Sequence, residues 1–186
     1  MASLTKESAR LSVPAIFLDS DGVLNQPVMA GDKPEAPTTV EQLVIPAEVK
    51  PALEKLKQAG YLLICVTNKP DVEEGRMSQQ TVEKIYEKMC SELPLDDVFI
   101  CYSRNAACFK PKPELLLEAA QKYNIALHKS YMIGDRWSDI EAGQNAHCRT
   151  IWVDREYPNE RIPDPPADYT AHSLMEACQW ILGVKK

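Results

Sequence analysis

Carboxylates at the ends of apolar runs are the first residues in this sequence that could do chemistry. Asp19 and Asp21 follow the run Ala15-Ile-Phe-Leu18. Standing two apart, they share a side of an extended segment, and Gly22 permits a sharp turn just after them. Asp135 ends a second run, Tyr131-Met-Ile-Gly134, with Asp139 four residues on; Thr67-Asn68 ends a third, and Lys-Pro-Lys-Pro occupies 110–113. Carboxylates converging on one crevice repel one another unless a divalent cation or a lysine neutralises them. Oxygen donors without organised His or Cys favour Mg²⁺, which takes one or two carboxylates and fills its octahedron with substrate phosphate and water. An Asp that attacks phosphorus, a second Asp, a hydroxyl, a lysine and a metal site make a phosphoryl-transfer kit. A carboxylate nucleophile splits hydrolysis into two easier steps, while the cations hold the charge of the transferring group.

These residues can act together only if the chain returns each run to one edge. Ala15–Leu18 suits a buried strand, and residues 26–46, with Pro27, Pro34, Pro37 and Pro46 and little periodicity, read as a long loop. Val49, Leu53 and Leu56 then share one helical face stopped by Gly60, and Tyr61–Val66 is a continuous apolar strand ended by Thr67-Asn-Lys-Pro70. The pattern repeats, with helices over 78–92, 113–124, 138–146 and 173–182 and strands over 98–101, 131–134 and 148–153. Residues 154–168, with four prolines, read as a surface loop. Strands alternating with helices, several of them apolar throughout, predict a Rossmann-like α/β three-layer sandwich with a mainly parallel sheet, in which ligands bind at the carboxyl ends of the strands. We expect one domain over 1–186, with its core at about 13–183.

The composition narrows the partners. With 21 Lys and Arg against 27 Asp and Glu, the net charge of −6 has the wrong sign for a nucleic-acid or anionic-membrane binder, so a small partner is expected. No window approaches the roughly 20 apolar residues of a membrane span, and Met1–Lys6 has no apolar run behind its charge, which predicts a cytoplasmic protein. Six scattered cysteines, several inside apolar runs as in Leu62-Leu-Ile-Cys-Val66, are expected to be reduced. His128, His147 and His172 show no ligand spacing.

Four ordered motifs at strand ends resemble those of the haloacid dehalogenase superfamily of aspartate-nucleophile phosphatases, from about Ala15 to Leu182. They are Phe17-Leu-Asp-Ser-Asp-Gly-Val-Leu-Asn25, Val66-Thr-Asn68, Lys110-Pro and Ile133-Gly-Asp-Arg-Trp-Ser-Asp139. The resemblance implies Asp19 as nucleophile, and Asp21 as the acid that protonates the leaving oxygen and then activates water. It implies Thr67 as a phosphate donor, Lys110 as the neutralising cation, and Ser20, Asn68, Lys69 and Arg136 as further phosphate or substrate contacts. Mg²⁺ would be bound by Asp19, the backbone carbonyl of Asp21 and Asp135, with Asp139 ligating through water or standing behind.

Within the family, the sequence is similar to the small capless heptose bisphosphate and histidinol-phosphate phosphatases, in the asparagine of Gly22-Val-Leu-Asn25, the Lys-Pro-Lys-Pro-Glu-Leu-Leu run from Lys110, and a separation of about 40 residues between the first two motifs, too short for a large inserted cap. Two departures stand out. Phe109 replaces the arginine those relatives place before Lys110, and their zinc loop is reduced to Cys101 and Cys108, too few for a four-ligand site, so no zinc is expected. The resemblance implies a monomeric, Mg²⁺-dependent phosphatase of a small phosphorylated metabolite, a heptose 1,7-bisphosphate first. Histidinol phosphate, a nucleic-acid end or a catalytically silent binding module are the alternatives.

Overall fold

In a computed structural model of the protein, residues 12–158 and 160–183 are described. The segment Met1–Lys6 read above lies outside them. Thirteen named elements follow in chain order: β1 (Ala15–Leu18), β2 (Val28–Ala30), β3 (Lys33–Glu35), α1 (Val49–Gln58), β4 (Leu62–Asn68), α2 (Gln79–Glu92), β5 (Asp97–Cys101), α3 (Glu114–Tyr123), β6 (Tyr131–Gly134), α4 (Trp137–Asn145), β7 (Arg149–Val153), β8 (Tyr169–Ala171) and α5 (Leu174–Ile181). Six strands form one sheet in the order β5-β4-β1-β6-β7-β8, every neighbouring pair parallel.

Both faces of the sheet are covered, which is why its central strands run apolar rather than alternating, up to the polar Thr67-Asn68 that ends β4. In β1 the even residues Ile16 and Leu18 pack with Val49, Leu53 and Leu56 of α1, Val82 and Ile85 of α2 and Ala177 of α5. The odd residues Ala15 and Phe17 pack with Leu115 and Leu116 of α3 and Ala142 of α4. Helix starts follow local chemistry: Ser78 Oγ accepts from the Thr81 N–H at 3.1 Å and Ser173 Oγ from the Glu176 N–H at 3.0 Å, capping α2 and α5. None of the described helices is long and apolar enough to cross a membrane.

Three expectations need correction. The stretch 26–46 is not structureless, because β2 and β3 pair antiparallel as a hairpin turned at Gly31 (φ 64°). Its two strands are three residues each, too short for a periodic signal, and Pro34 is tolerated because the hairpin stands outside the main sheet. The loop 154–168 is followed by a short edge strand, β8, which the sequence reading left out. The cysteines are not all reduced: Cys101, ending β5, is disulfide-bonded to Cys108, the chain turning back to bring their Cα atoms to 5.6 Å. Cys65, Cys90, Cys148 and Cys178 are free thiols, and only Cys90 of these is exposed.

Candidate active site

Register assembles the site. Leu18 pairs with Cys65 of β4 on one side and Ile133 of β6 on the other, so the residues just beyond it, Asp19, Thr67 and Asp135, emerge at neighbouring strand ends. Lys110 arrives from the loop after β5, its Nζ donating to Asp19 Oδ1 at 2.7 Å and the Val66 carbonyl at 2.8 Å, with Asp139 Oδ1 also at 2.7 Å. It is 3% exposed, so it reaches Asp19 as a buried counter-charge rather than a solvated one. Lys112, the competing lysine, points away and donates to the Ala106 carbonyl.

Carboxylate oxygens of Asp19, Asp135 and Asp139 lie within 4.8 Å of one another, and all three side chains are buried. Asp135 Oδ1 is buried with no hydrogen-bond partner. Three carboxylates against the single ammonium of Lys110 leave a formal charge of −2 when ionised, the charge a divalent cation would cancel. Burial pushes the Asp19 carboxyl up to about 6, Lys110 opposing and Asp139 and Asp21 adding to the rise. Burial, then Asp19 and Asp139, hold Asp135 well above the ordinary carboxylate range. Burial disfavours the charge of Lys110, but Asp139 and Asp19 outweigh it and keep its pKa above the ordinary lysine value. An orphaned acceptor, clustered hard oxygens and a net −2 fit a hard divalent cation.

Two glycines make room. A Cβ on Gly22, whose φ is 89°, would overlap the Asp135 carboxylate, and one on Gly134 would overlap Asp139. Asp139 also accepts from the Arg136 N–H at 3.0 Å, closing a capping box at the start of α4. It therefore faces both the carboxylate cluster and Lys110.

Several expected substrate contacts are spent on protein. Asn68 is a clamp on Lys110, its Oδ1 accepting the Lys110 N–H at 3.1 Å and its Nδ2 donating to the Lys110 carbonyl at 3.2 Å. Ser20 is fully buried, sharing a 2.9 Å hydrogen bond with Thr67 Oγ1 and accepting from the Tyr86 hydroxyl at 2.8 Å. Lys69 pairs with Asp21. Arg136 pairs with Glu160 and stacks 5.2 Å from the Tyr157 ring centroid, though it still borders the cavity.

Around this floor lies a cavity of about 690 Å³ whose lining also includes Lys33 from the hairpin, Arg76, Arg104 and Tyr157. Arg104 stands 5.7 Å from the Phe109 ring centroid and bonds Glu74 at 2.7 Å, so a guanidinium is present beside the residue that replaces the arginine of the resembled group. Tyr157 and Arg104 come from loops without periodicity and carried no sequence signal. Asn25, which donates to Asp21 Oδ1 at 2.9 Å, stood inside the first motif without a role.

A parallel sheet with carboxylates, a hydroxyl and a buried lysine at adjoining strand ends is the arrangement of a hydrolase site. The profile of the haloacid dehalogenase-like hydrolases matches residues 26–147, and the chain belongs to that family. It is 31% identical over 176 residues to a D-glycero-beta-D-manno-heptose-1,7-bisphosphate 7-phosphatase of Helicobacter pylori (strain J99 / ATCC 700824), covering 90% of this chain and 96% of that protein. Another protein of that name from Pasteurella multocida (strain Pm70) is 32% identical over 186 residues, covering 92% and 98%. Among solved structures, a D,D-heptose 1.7-bisphosphate phosphatase from B. bronchiseptica, complexed with magnesium and phosphate, superposes with a TM-score of 0.76 at 21% identity, covering 92% of this chain and 99% of that one.

Proposed function

We propose that the chain, as one domain over 1–186, is a Mg²⁺-dependent phosphomonoesterase that removes the 7-phosphate of a D-glycero-D-manno-heptose 1,7-bisphosphate through an Asp19 phosphoaspartate. The observation that carries the reading is the Lys110-neutralised cluster of Asp19, Asp135 and Asp139 at the floor of the cavity. Relatives at about 30% identity over nearly their whole length bear that substrate in their names, which supports the substrate class. The cavity is far larger than one phosphate, and the cations Lys33, Arg76 and Arg104 in its lining, the two arginines paired with Asp71 and Glu74, suit the second phosphate of such a substrate.

Each residue then has a task. Asp19 supplies the attacking oxygen, and Lys110 screens charge between it and the phosphoryl group. Thr67 Oγ1, held by Ser20, donates to a phosphoryl oxygen. Asp19, Asp135 and the Asp21 carbonyl would hold Mg²⁺, with Asp139 behind them; bound there, the ion draws charge from the phosphoryl oxygens. Asp21 gives its proton to the ester oxygen as the bond to phosphorus breaks. It then takes one from the water that attacks the phosphoaspartate, returning Asp19 as carboxylate and releasing inorganic phosphate. The reading takes the chain as a monomer in the cytoplasm acting on a small metabolite, and the net charge of −6 has the wrong sign for nucleic acid or an anionic membrane.

The test is phosphate release from both anomers of the heptose bisphosphate, histidinol phosphate and a 3′-phosphorylated oligonucleotide, for wild type and Asp19→Asn, with Mg²⁺ and after chelation. A hundredfold preference in kcat/KM, about 2.7 kcal/mol of differential transition-state binding, names the substrate. Turnover that survives chelation refutes the metal requirement, and wild-type-like turnover by Asp19→Asn refutes the nucleophile.

A further inference from the structure

Lys69 is a buried ammonium left over by the phosphate chemistry just described. It is 4% exposed, and burying an ammonium costs several kcal/mol unless it is paired. Its partner is Asp21: Lys69 Nζ engages Oδ2, while Asn25 Nδ2 donates to Oδ1 at 2.9 Å. Each oxygen of the carboxylate therefore has its own donor. The lysine is itself held in place. Its backbone N–H donates to the Cys101 carbonyl at 2.7 Å, and its Nζ stands 5.8 Å from the Tyr86 ring centroid. The hydroxyl of that tyrosine donates to Ser20, which bonds Thr67. Asp21 stands apart from the Asp19, Asp135 and Asp139 cluster and has a cation of its own, as Asp19 has Lys110.

We propose that Lys69 is a positioning residue for the proton-transfer step. With Asn25 it fixes the direction of the Asp21 carboxyl group. The inference rests on Asp21 being the proton donor of the proposed phosphatase. In that step an Asp19 oxygen bonds to phosphorus, the bond from phosphorus to the ester oxygen breaks with its electron pair on that oxygen, and the Asp21 proton moves onto it. The water that attacks the phosphoaspartate later returns a proton to Asp21.

A sugar alkoxide leaves poorly without a proton, whereas p-nitrophenolate leaves without one. Lys69→Met should therefore lose at least tenfold more kcat/KM on the sugar phosphate than on p-nitrophenyl phosphate, since a positioned general acid contributes about 10²–10⁴-fold. kcat/KM is the quantity to compare, because it stops at formation of the phosphoaspartate. Lys69→Arg should recover part of the difference. Asn25→Ala, which frees the same carboxylate from the other side, should show the same selectivity and serves if Lys69→Met does not fold by thermal unfolding. Equal losses on both esters would make Lys69 a phosphate ligand and overturn the proposal, as would no loss on either. Inactivity of the wild type on both esters overturns the phosphatase reading itself.

Discussion

Replacing Asp19 by asparagine should end turnover and at the same time stabilise the metal-free protein at pH 7.5. The carboxyl is buried, with Asp139 and Asp21 adding to the effect, and despite Lys110 its pKa is pushed from 3.8 up to about 6. The folded state therefore binds the Asp19 proton more tightly than the unfolded state does. Stability from this group is fully present below about pH 4 and is lost as the pH rises to about 6, the opposite of an ion-paired surface carboxylate. A rise of about two units corresponds to about 3 kcal/mol, or roughly 6–12 °C in Tm for a chain of this size. Asparagine keeps the shape, removes the charge, and leaves Lys110 bonded to Asp139 and the Val66 carbonyl. Thermal melts in chelator at pH 5 and pH 7.5 should show wild type falling with pH, with Asp19→Asn falling less and lying above it at pH 7.5. Mg²⁺ at a hundred times its Kd should return about 2.7 kcal/mol to the wild type at pH 7.5 and much less to the variant. A metal-free Asp19→Asn protein less stable than wild type at pH 7.5 would refute the reasoning, because the ion pair with Lys110 would then outweigh burial.

Three further outcomes follow from the same geometry. Lys110→Met leaves Asp19 and Asp139 without their buried counter-charge, so urea unfolding at pH 7.5 should show a loss of about 3–5 kcal/mol alongside lost activity; unchanged stability contradicts the pairing. Gly22→Ala forces a Cβ into the Asp135 carboxylate at a positive φ costing about 1–2 kcal/mol, and calorimetric titration should show weakened Mg²⁺ binding; wild-type affinity would remove Asp135 from the metal site. Asn68→Ala releases both main-chain bonds of Lys110, and kcat should fall about tenfold with KM little changed, since Asn68 touches the lysine rather than the substrate; a rise in KM alone restores it as a substrate contact.

Much of the fold was legible because an apolar run that stops at a polar turn is a strong signal when both sheet faces are covered. Ala15–Leu18 and Tyr131–Gly134 appear with the bounds read from the sequence. The hairpin at 28–35 and the strand β8 escaped for the opposite reason, since three residues hold too little periodicity to be seen. In the site, Asp19, Thr67 and Asp135 could be placed because each follows or ends a readable strand, whereas Lys110 and Asp139 were placed by the motifs they share with the resembled family. Tyr157 and Arg104 could not, because their place depends on the course of irregular loops.

By itself, then, the sequence determined the inventory: which carboxylates, which hydroxyl and which lysines stand at strand ends, and an excess of acid over base that needs a cation. The tertiary structure decided the pairings. Lys110 rather than Lys112 faces Asp19, Lys69 faces Asp21 rather than open cavity, Asn68 holds a backbone, and Cys101 finds Cys108. Periodicity reports which side of its own element a residue occupies. It carries no information on strand order or loop path, and the decisive ion pairs join residues 48 and 91 positions apart, so they exist only once the sheet has set β4 beside β1 and β5 beyond it.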